Sequence, residues 1–233
     1  MKKAILFDYG GTLDTDGIHW FEKFYEAYHH FRVPIVKENL REAFVYAEKK
    51  CSLVIEREFG LRKTLKYKIE FQLEYLYKNF YLSNVYDFII DEITEYCYLS
   101  VIKNVNASKI ILESLSSTYK LGIISNYYGN LETELEELSL KKYFKVIIDS
   151  AVVGVRKPDL KIFEIAINQT NALPSETIVI GDSYEKDISP AKLLGCFTIW
   201  INNKGWSIPQ ETKDADLIIK TIMELPDALT KTN

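Results

Sequence analysis

An aspartate stands at the end of the first apolar segment of the chain. The run Ala4-Ile5-Leu6-Phe7 is typical of a buried strand, and Asp8-Tyr9-Gly10-Gly11-Thr12 follows it directly. In open α/β sheets, ligands bind beyond the carboxyl ends of the strands. Asp8 therefore occupies a position from which a carboxylate can act as a nucleophile. The two glycines remove side chains where the backbone would approach a ligand closely.

Further polar groups follow predicted strands later in the chain. Ser125-Asn126 ends one apolar segment, Lys157 lies just before a predicted helix, and Gly181-Asp182-Ser183 ends another segment with Asp187 five residues after Asp182. Each group alone is also typical of a turn, a helix cap or a solvated surface. Adjacent parallel strands end on one edge of a sheet, so these groups are predicted to converge with Asp8. Their joint order favours a catalytic site.

The elements that must position these groups alternate between two types after about residue 105. Short apolar segments alternate with amphipathic ones, which predicts a parallel sheet covered by helices on both faces. The fold class is therefore α/β, with a Rossmann-like, doubly wound parallel sheet. The later predicted strands are 121–125, 146–149, 177–180, 196–201 and 216–219. The predicted helices are 108–118, 131–138, 160–168, 185–194 and 222–228.

The segment after the first strand has a different sequence pattern. Apolar residues recur at helical spacing in four amphipathic stretches, of which Leu65, Ile69, Leu73, Leu76 and Phe80 form one. Breaks are predicted at Val33-Pro34, Gly60 and Ser83-Asn84. The simplest interpretation is an α-helical insertion into an α/β domain. We predict a core domain of residues 1–16 and 104–233 and a helical cap of residues 17–103.

In this order the motifs resemble those of the haloacid dehalogenase superfamily. The first motif is similar to Asp8-Tyr9-Gly10-Gly11-Thr12-Leu13, the second to Ser125, the third to Lys157, and the fourth to Gly181-Asp182-Ser183 through Asp187. The helical insertion lies where members of this superfamily carry a cap. The resemblance implies a Mg²⁺-dependent hydrolase, most readily a phosphatase acting on a small phosphorylated metabolite through an aspartyl-phosphate at Asp8.

The resemblance also assigns roles to individual residues. It implies that Asp8, the backbone carbonyl of Gly10 and Asp182 are Mg²⁺ ligands, with Asp187 in the outer shell. It further implies that the phosphate is held by Ser125, by the backbone N–H of Asn126 and by Lys157. Lys157 would also balance the charge of Asp8, which makes Asp8 and Lys157 the catalytic pair. Positioning and charge compensation of this kind supply most of the catalysis in phosphoryl transfer.

Gly10 departs from the family pattern. Phosphatases of this superfamily usually carry an aspartate there, which protonates the leaving group and then activates water. Loss of such a general acid/base typically costs ~10²–10⁴ in rate. The nearby candidates for a substitute are Asp14, Asp16 and His19, or water.

Other chemistry stays open because of Gly10. One alternative is a phosphonatase-like C–P hydrolase, in which a cap lysine such as Lys49 or Lys50 would form a Schiff base. Another is a weakly active or non-catalytic phosphate-binding module. The intact Gly181-Asp182 argues against a metal-independent L-2-haloacid dehalogenase.

Composition narrows the possible partners and compartment. With 29 Lys and Arg against 33 Asp and Glu, the net charge is −4, which argues against nucleic-acid binding. The three cysteines, Cys51, Cys97 and Cys196, are odd in number and widely spaced. They predict buried thiols in a reducing compartment, not a zinc site. No segment approaches the ~20 apolar residues of a membrane span. We therefore expect a cytoplasmic protein without a membrane partner, whose substrate and oligomeric state the sequence leaves open.

Overall fold

A six-stranded parallel sheet lies at the centre of the protein. The computed structural model describes all residues except 80, 83–87, 208, 210 and 233. The strands are β1 (Ala4–Phe7), β2 (Lys120–Ser125), β3 (Val146–Asp149), β4 (Thr177–Gly181), β5 (Phe197–Ile201) and β6 (Leu217–Ile219). Their order across the sheet is β3-β2-β1-β4-β5-β6, with every neighbouring pair parallel. Phe7 pairs with Ile123 on one side and Ile180 on the other, so the residues after these positions reach the same edge.

Helices cover both faces of the sheet. They are α5 (Leu131–Glu137), α6 (Ser150–Val153), α7 (Leu160–Thr170), α8 (Ser189–Leu193) and α9 (Leu225–Leu229). Alternate residues of β1 point to opposite faces. Ile5 and Phe7 belong to a core that includes residues of α5 and α9, whereas Leu6 packs in a second core with residues of α7 and α8. The predicted doubly wound α/β fold is confirmed.

Four helices are inserted between β1 and β2. They are α1 (Trp20–His30), α2 (Lys37–Val54), α3 (Leu61–Lys78) and α4 (Ile90–Ser116). Their buried stripes include Leu40, Ala47 and Cys51 on α2 and Leu65, Ile69 and Leu73 on α3. The predicted helical insertion is therefore present. Phe80 and the predicted break at Ser83-Asn84 lie outside the described residues.

The beginning predicted for the helix at 108–118 is wrong. One helix, α4, runs without interruption for 27 residues across the predicted boundary between 103 and 104. Its sequence holds neither Gly nor Pro, and its buried residues continue from Ile93 to Leu115, so nothing ends the helix earlier. Asn104 Nδ2 donates to Asp14 O at 3.0 Å, and this bond joins α4 to the loop after β1. The division into core and cap domains stays a prediction.

Two smaller elements also differ from expectation. The predicted helix 185–194 consists of a π-helical turn (Tyr184–Ile188) followed by α8, and Pro190, which lacks a backbone N–H, lies at the start of α8. The short α6 was not predicted.

All three cysteines are free and buried, and burial raises the pKa of Cys51 and Cys97 to about 12 and that of Cys196 to about 11. Among the described helices, none has both the length and the apolar character that a membrane crossing requires.

Candidate functional site

A buried lysine and two carboxylates meet at the carboxyl edge of the sheet. Asp8 follows β1 directly, and Lys157 Nζ lies 2.5 Å from its Oδ1. The same Nζ lies 2.6 Å from Asp187 Oδ1 and donates to the carbonyl of Ile124 at 3.0 Å. All three charged side chains are at most 7% exposed. Burial lowers the pKa of Lys157, but the carboxylates of Asp187 and Asp8 outweigh it, so the pKa lies above its ordinary value and Lys157 stays an ammonium.

Asp182 brings a third carboxylate to this edge. Its Oδ2 is buried and has no hydrogen-bond partner. Burial, reinforced by the charges of Asp8 and Asp187, raises the pKa of Asp182 well above its ordinary value. Burial also raises the pKa of Asp187 to about 6, although Lys157 opposes the rise. One oxygen from each carboxylate lies within 4.8 Å of the others. Three carboxylates facing one ammonium, with one oxygen unpartnered, fit a hard divalent cation.

The surrounding backbone fixes these carboxylates. Trp200 Nε1 donates to the carbonyl of Asp182 at 2.9 Å, and the backbone N–H of Ser183 donates to Asp187 Oδ2 at 3.0 Å. At Gly11, where φ is +102°, a Cβ would lie 2.5 Å from Asp182 Oδ2. A glycine is therefore required there both for its backbone conformation and for the space that Asp182 occupies.

Ser125 and Asn126 lie beside Lys157. Ser125 ends β2, is buried and lines the same cavity as Asp8. The Asn126 amide bonds the backbone of Lys157 twice: its Nδ2 donates to the carbonyl at 3.0 Å, and its Oδ1 accepts from the N–H at 2.8 Å. The side chain of Asn126 thus positions Lys157, a role that the sequence did not suggest. The assignment of Ser125 and the Asn126 N–H to phosphate stays a prediction.

Asp14 and Asp16, two of the groups considered as substitutes at Gly10, are engaged in other contacts. Asp14 is 1% exposed and accepts from Gly11 N and Trp20 Nε1, each at 2.7 Å. Burial raises its pKa to about 6. Asp16 accepts from Thr221 Oγ1 at 2.6 Å and from the N–H of Ile222 at 2.7 Å. Neither carboxylate lines the cavity.

His19, the third candidate, does line the cavity. It caps the start of α1, because its Nδ1 accepts from the N–H of Phe21 at 3.1 Å. Burial, with the charge of Lys186, lowers the pKa of His19 to about 4, so the ring is neutral at pH 7. The structure thus assigns the proton of His19 to Nε2, in a form that is a poor acid.

A cavity of about 370 Å³ lies between the sheet edge and the inserted helices. Asp8, Gly10 and Lys157 line it from the sheet, whereas Glu48 and Lys68 line it from α2 and α3. Lys68 Nζ lies 3.1 Å from Glu48 Oε1, and the Tyr128 hydroxyl donates to Glu48 Oε2 at 2.5 Å. Aromatic walls complete the cavity: Trp20, Phe44, Tyr127, Tyr128, Tyr184 and Trp206.

This ion pair was not predicted from the sequence. A signal for it does exist, because Lys68 stands three residues after Leu65 and one before Ile69, on the buried stripe of α3. A charged residue on an apolar stripe requires a partner. The pattern alone, however, names neither Glu48 nor the cavity.

The chain is similar to several known proteins. A family model for haloacid dehalogenase-like hydrolases matches residues 5–201. A glyceraldehyde 3-phosphate phosphatase of Pyrococcus furiosus is 32% identical over 145 residues, 60% of this chain and 59% of that protein. Pyrimidine 5′-nucleotidase YjjG of Escherichia coli is 36% identical over 94 residues, 40% of this chain and 42% of that protein. The chain thus spans about half the length of the curated relatives it matches.

One solved structure extends the likeness of fold along nearly the whole chain. It is the magnesium-bound HAD-hydrolase YfnB of Bacillus subtilis, with a TM-score of 0.60 and 16% identity over 98% of both chains. At this identity the likeness concerns the fold alone.

Proposed function

Since the chain belongs to the haloacid dehalogenase-like hydrolase family, we propose that it is a Mg²⁺-dependent phosphatase that acts on a small phosphorylated metabolite through an aspartyl-phosphate at Asp8. The contact of 2.5 Å between Lys157 Nζ and the buried Asp8 carboxylate carries this proposal. Relatives named as a glyceraldehyde 3-phosphate phosphatase and a pyrimidine 5′-nucleotidase support it.

Contacts around Asp8 prepare it for attack on phosphorus. Its Oδ1 is held by Lys157, and its Oδ2 accepts from Thr12 Oγ1 at 3.2 Å, so the carboxylate is fixed at the cavity floor. Lys157 also offers positive charge to the transferring oxygens, and the Ser125 hydroxyl and the Asn126 N–H offer donors. Attack forms a covalent aspartyl-phosphate, and water then releases phosphate and restores the Asp8 carboxylate.

The carboxylates suit a magnesium ion. Asp8, the carbonyl of Gly10 and Asp182 would hold it, with Asp187 in the outer shell. When bound, Mg²⁺ would neutralise negative charge on the phosphoryl group and on Asp8. The unpartnered Oδ2 of Asp182 supports this assignment. Addition of MgCl₂ should raise the melting temperature of the wild type and leave that of Asp182→Asn unchanged. An equal shift in both proteins would contradict the assignment.

Replacement of the nucleophile tests the function. Asp8→Asn keeps the shape of the side chain and should lower kcat by at least about 10⁴-fold, as loss of a nucleophile does elsewhere. The substrates are 4-nitrophenyl phosphate, glyceraldehyde 3-phosphate and pyrimidine 5′-nucleotides, each with Mg²⁺. Equal rates for both proteins, or no turnover of any phosphate ester by the wild type, would refute the proposal.

Two outcomes of related assays would replace it by another function. Release of acetaldehyde from phosphonoacetaldehyde, with borohydride trapping at a lysine, would identify a C–P hydrolase. Lys49 is exposed at the rim of the cavity, and Lys50 lies over the ring of Tyr46. Beryllofluoride binding without turnover would identify a phosphate-binding module.

A further inference from the structure

The leaving-group oxygen of a phosphate ester needs a proton, and Gly10 has no side chain to supply one. The Trp20 indole covers this position, since a Cβ on Gly10 would lie 3.8 Å from Trp20 Cδ1. Asp14 and Asp16 accept hydrogen bonds from other groups and do not line the cavity, and His19 is neutral at pH 7. A side chain that acts on the leaving oxygen must therefore come from another part of the cavity wall.

Lys68 lies near the same indole and lines the same cavity. Its Nζ is 5.7 Å from the centre of the Trp20 ring and 5.0 Å from that of Tyr128, which follows Ser125 by three residues. Among the described cations that line the cavity, Lys157 and Lys68 are buried, whereas Lys49, Arg156 and Lys186 are exposed. Lys157 contacts Asp8, where the phosphoryl group would bind, whereas Lys68 lines the cavity from α3 and is the buried cation on the helix side.

The surroundings of Lys68 keep it protonated. Burial lowers its pKa, but the carboxylate of Glu48 reverses the effect, and the net pKa is raised. The charge of Lys68 also acts on two buried carboxyl groups, Asp14 and Glu134. It opposes the rise in pKa that burial causes in each of them. Lys68 therefore enters the reaction as an ammonium that carries a transferable proton.

We infer that Lys68 is the proton donor to the leaving-group oxygen, in the role that an aspartate at position 10 would otherwise have. This inference rests on the proposed phosphatase function.

The step balances in protons and electrons. When Asp8 attacks phosphorus, the bond between phosphorus and the leaving oxygen breaks and its electron pair stays on that oxygen. Lys68 Nζ gives this oxygen a proton, so the product leaves as an alcohol and Lys68 becomes a neutral amine. Water then attacks the aspartyl-phosphate and passes a proton to Lys68. Phosphate leaves, and Asp8 and Lys68 return to their starting forms.

Leaving-group dependence tests this role. Three probes of similar shape, 4-nitrophenyl, phenyl and benzyl phosphate, have leaving oxygens of increasing basicity. Lys68→Met should lower kcat/KM, which reports the steps up to formation of the aspartyl-phosphate, less than about threefold with 4-nitrophenyl phosphate, which needs no proton, and by about 10²-fold or more with benzyl phosphate. A residue that only shapes the cavity would lower all three rates alike. Equal losses, or no loss with benzyl phosphate, would overturn the inference.

Matched variants separate this role from stability. Lys66→Met makes the same change two residues away, at a lysine paired with Asp91 outside the cavity, and should keep wild-type rates with all three probes. If Lys68→Met fails to fold because Glu48 loses its partner, Lys68→Met/Glu48→Gln leaves no unpaired charge and should show the same leaving-group dependence. If all variants remain active with 4-nitrophenyl phosphate, the proposed function stands whatever becomes of Lys68.

Discussion

The sheet side and the helix side of the cavity are built differently. On the sheet side, Asp8 and Asp182 directly follow strands and Lys157 lies in the loop between α6 and α7. This side holds three carboxylates and one buried ammonium. On the helix side, Glu48 and Lys68 come from the middle of two helices and form a paired couple. The sheet side has excess negative charge that suits a cation, whereas the helix side is balanced. Strand ends thus gather reactive groups, and helix packing adds the groups that face the rest of the substrate.

Removal of Lys157 should have the largest effect, and it tests whether the two sides of the cavity act on different atoms of the substrate. Lys157→Met should lower kcat/KM by about 10³-fold with each of the three aryl and benzyl probes, because the lost charge acts at the phosphoryl group and not at the leaving oxygen. Steady-state kinetics measures the effect. Lys161→Met, at an exposed lysine on α7, is the control. A loss that grows with leaving-group basicity would show that both sides serve the same oxygen.

Variants of Glu134 test whether one buried carboxyl group stabilises both sides of the cavity. It accepts from the hydroxyls of Tyr9 and Tyr127 on the sheet side, and Asn130 Nδ2 joins it to Thr64 on the helix side. Burial raises its pKa from 4.5 to about 7. Between these pH values the folded state binds the extra proton, so the free energy of unfolding should fall by about 3 kcal/mol as pH rises.

Glu134→Gln should lack this component of the pH dependence. Urea unfolding at pH 4.5, 6 and 7.5 measures the slope, and Glu136→Gln, at an exposed carboxylate on α5, should keep the wild-type slope. Identical slopes in wild type and Glu134→Gln would contradict the prediction.

Two glycine-to-alanine variants, at Gly11 and at Gly195, test how tightly the sheet side is packed around Asp182. Gly11 and Gly195 both have positive φ, +102° and +87°, but only Gly11 faces an atom within 4 Å of an added Cβ. Both variants should lose stability through backbone strain, and Gly11→Ala should lose about 2 kcal/mol more because it displaces the Asp182 carboxylate. Chemical denaturation gives both values. Equal losses of stability in the two variants would mean that the Asp182 carboxylate moves freely and that the sheet side is not rigid at this position.

A rescue experiment at Gly10 tests the role of Lys68 on the helix side and has the smallest expected effect. An added Cβ at Gly10 makes only ordinary contact with Trp20, so the backbone at this position accepts a side chain. In the Lys68→Met background Gly10→Asp should restore benzyl phosphate turnover by about tenfold, since it replaces the lost proton donor. In the wild type the change should stay below about threefold. A larger gain in the wild type would show that Lys68 does not donate the proton.

The sequence predicted more of the sheet side than of the helix side, and the reason is physical. Asp8 and Asp182 each follow a short apolar strand, and parallel pairing takes strand ends to one edge whatever the side-chain details. Lys157 reaches the same edge from the loop that follows β3 and α6. The positions of Lys68 and Glu48 depend instead on how α2 and α3 rotate against each other, which periodicity does not specify. Asn126 shows the same limit within a motif, because its side chain positions Lys157 across 31 residues of chain.

The substitutes suggested for Gly10 were chosen for their nearness in sequence. Asp14 and Asp16 are close along the chain, but they accept hydrogen bonds from Trp20 and Ile222 and do not line the cavity. Nearness in sequence to a reactive group therefore does not place a side chain at the cavity wall. Lys68 is 60 residues from Asp8 in sequence and lines the same cavity.

The unbroken α4 helix sets a rule for protein engineering. Because one rod of 27 residues joins the inserted helices to the layer packed on the sheet, its two halves share a single screw axis. Each residue added or removed in its middle would turn one half against the other by about 100° and shift it by about 1.5 Å. Chimeras that graft a different set of helices onto this sheet must therefore preserve the helical phase at this joint, whereas the loop before α1 imposes no such condition.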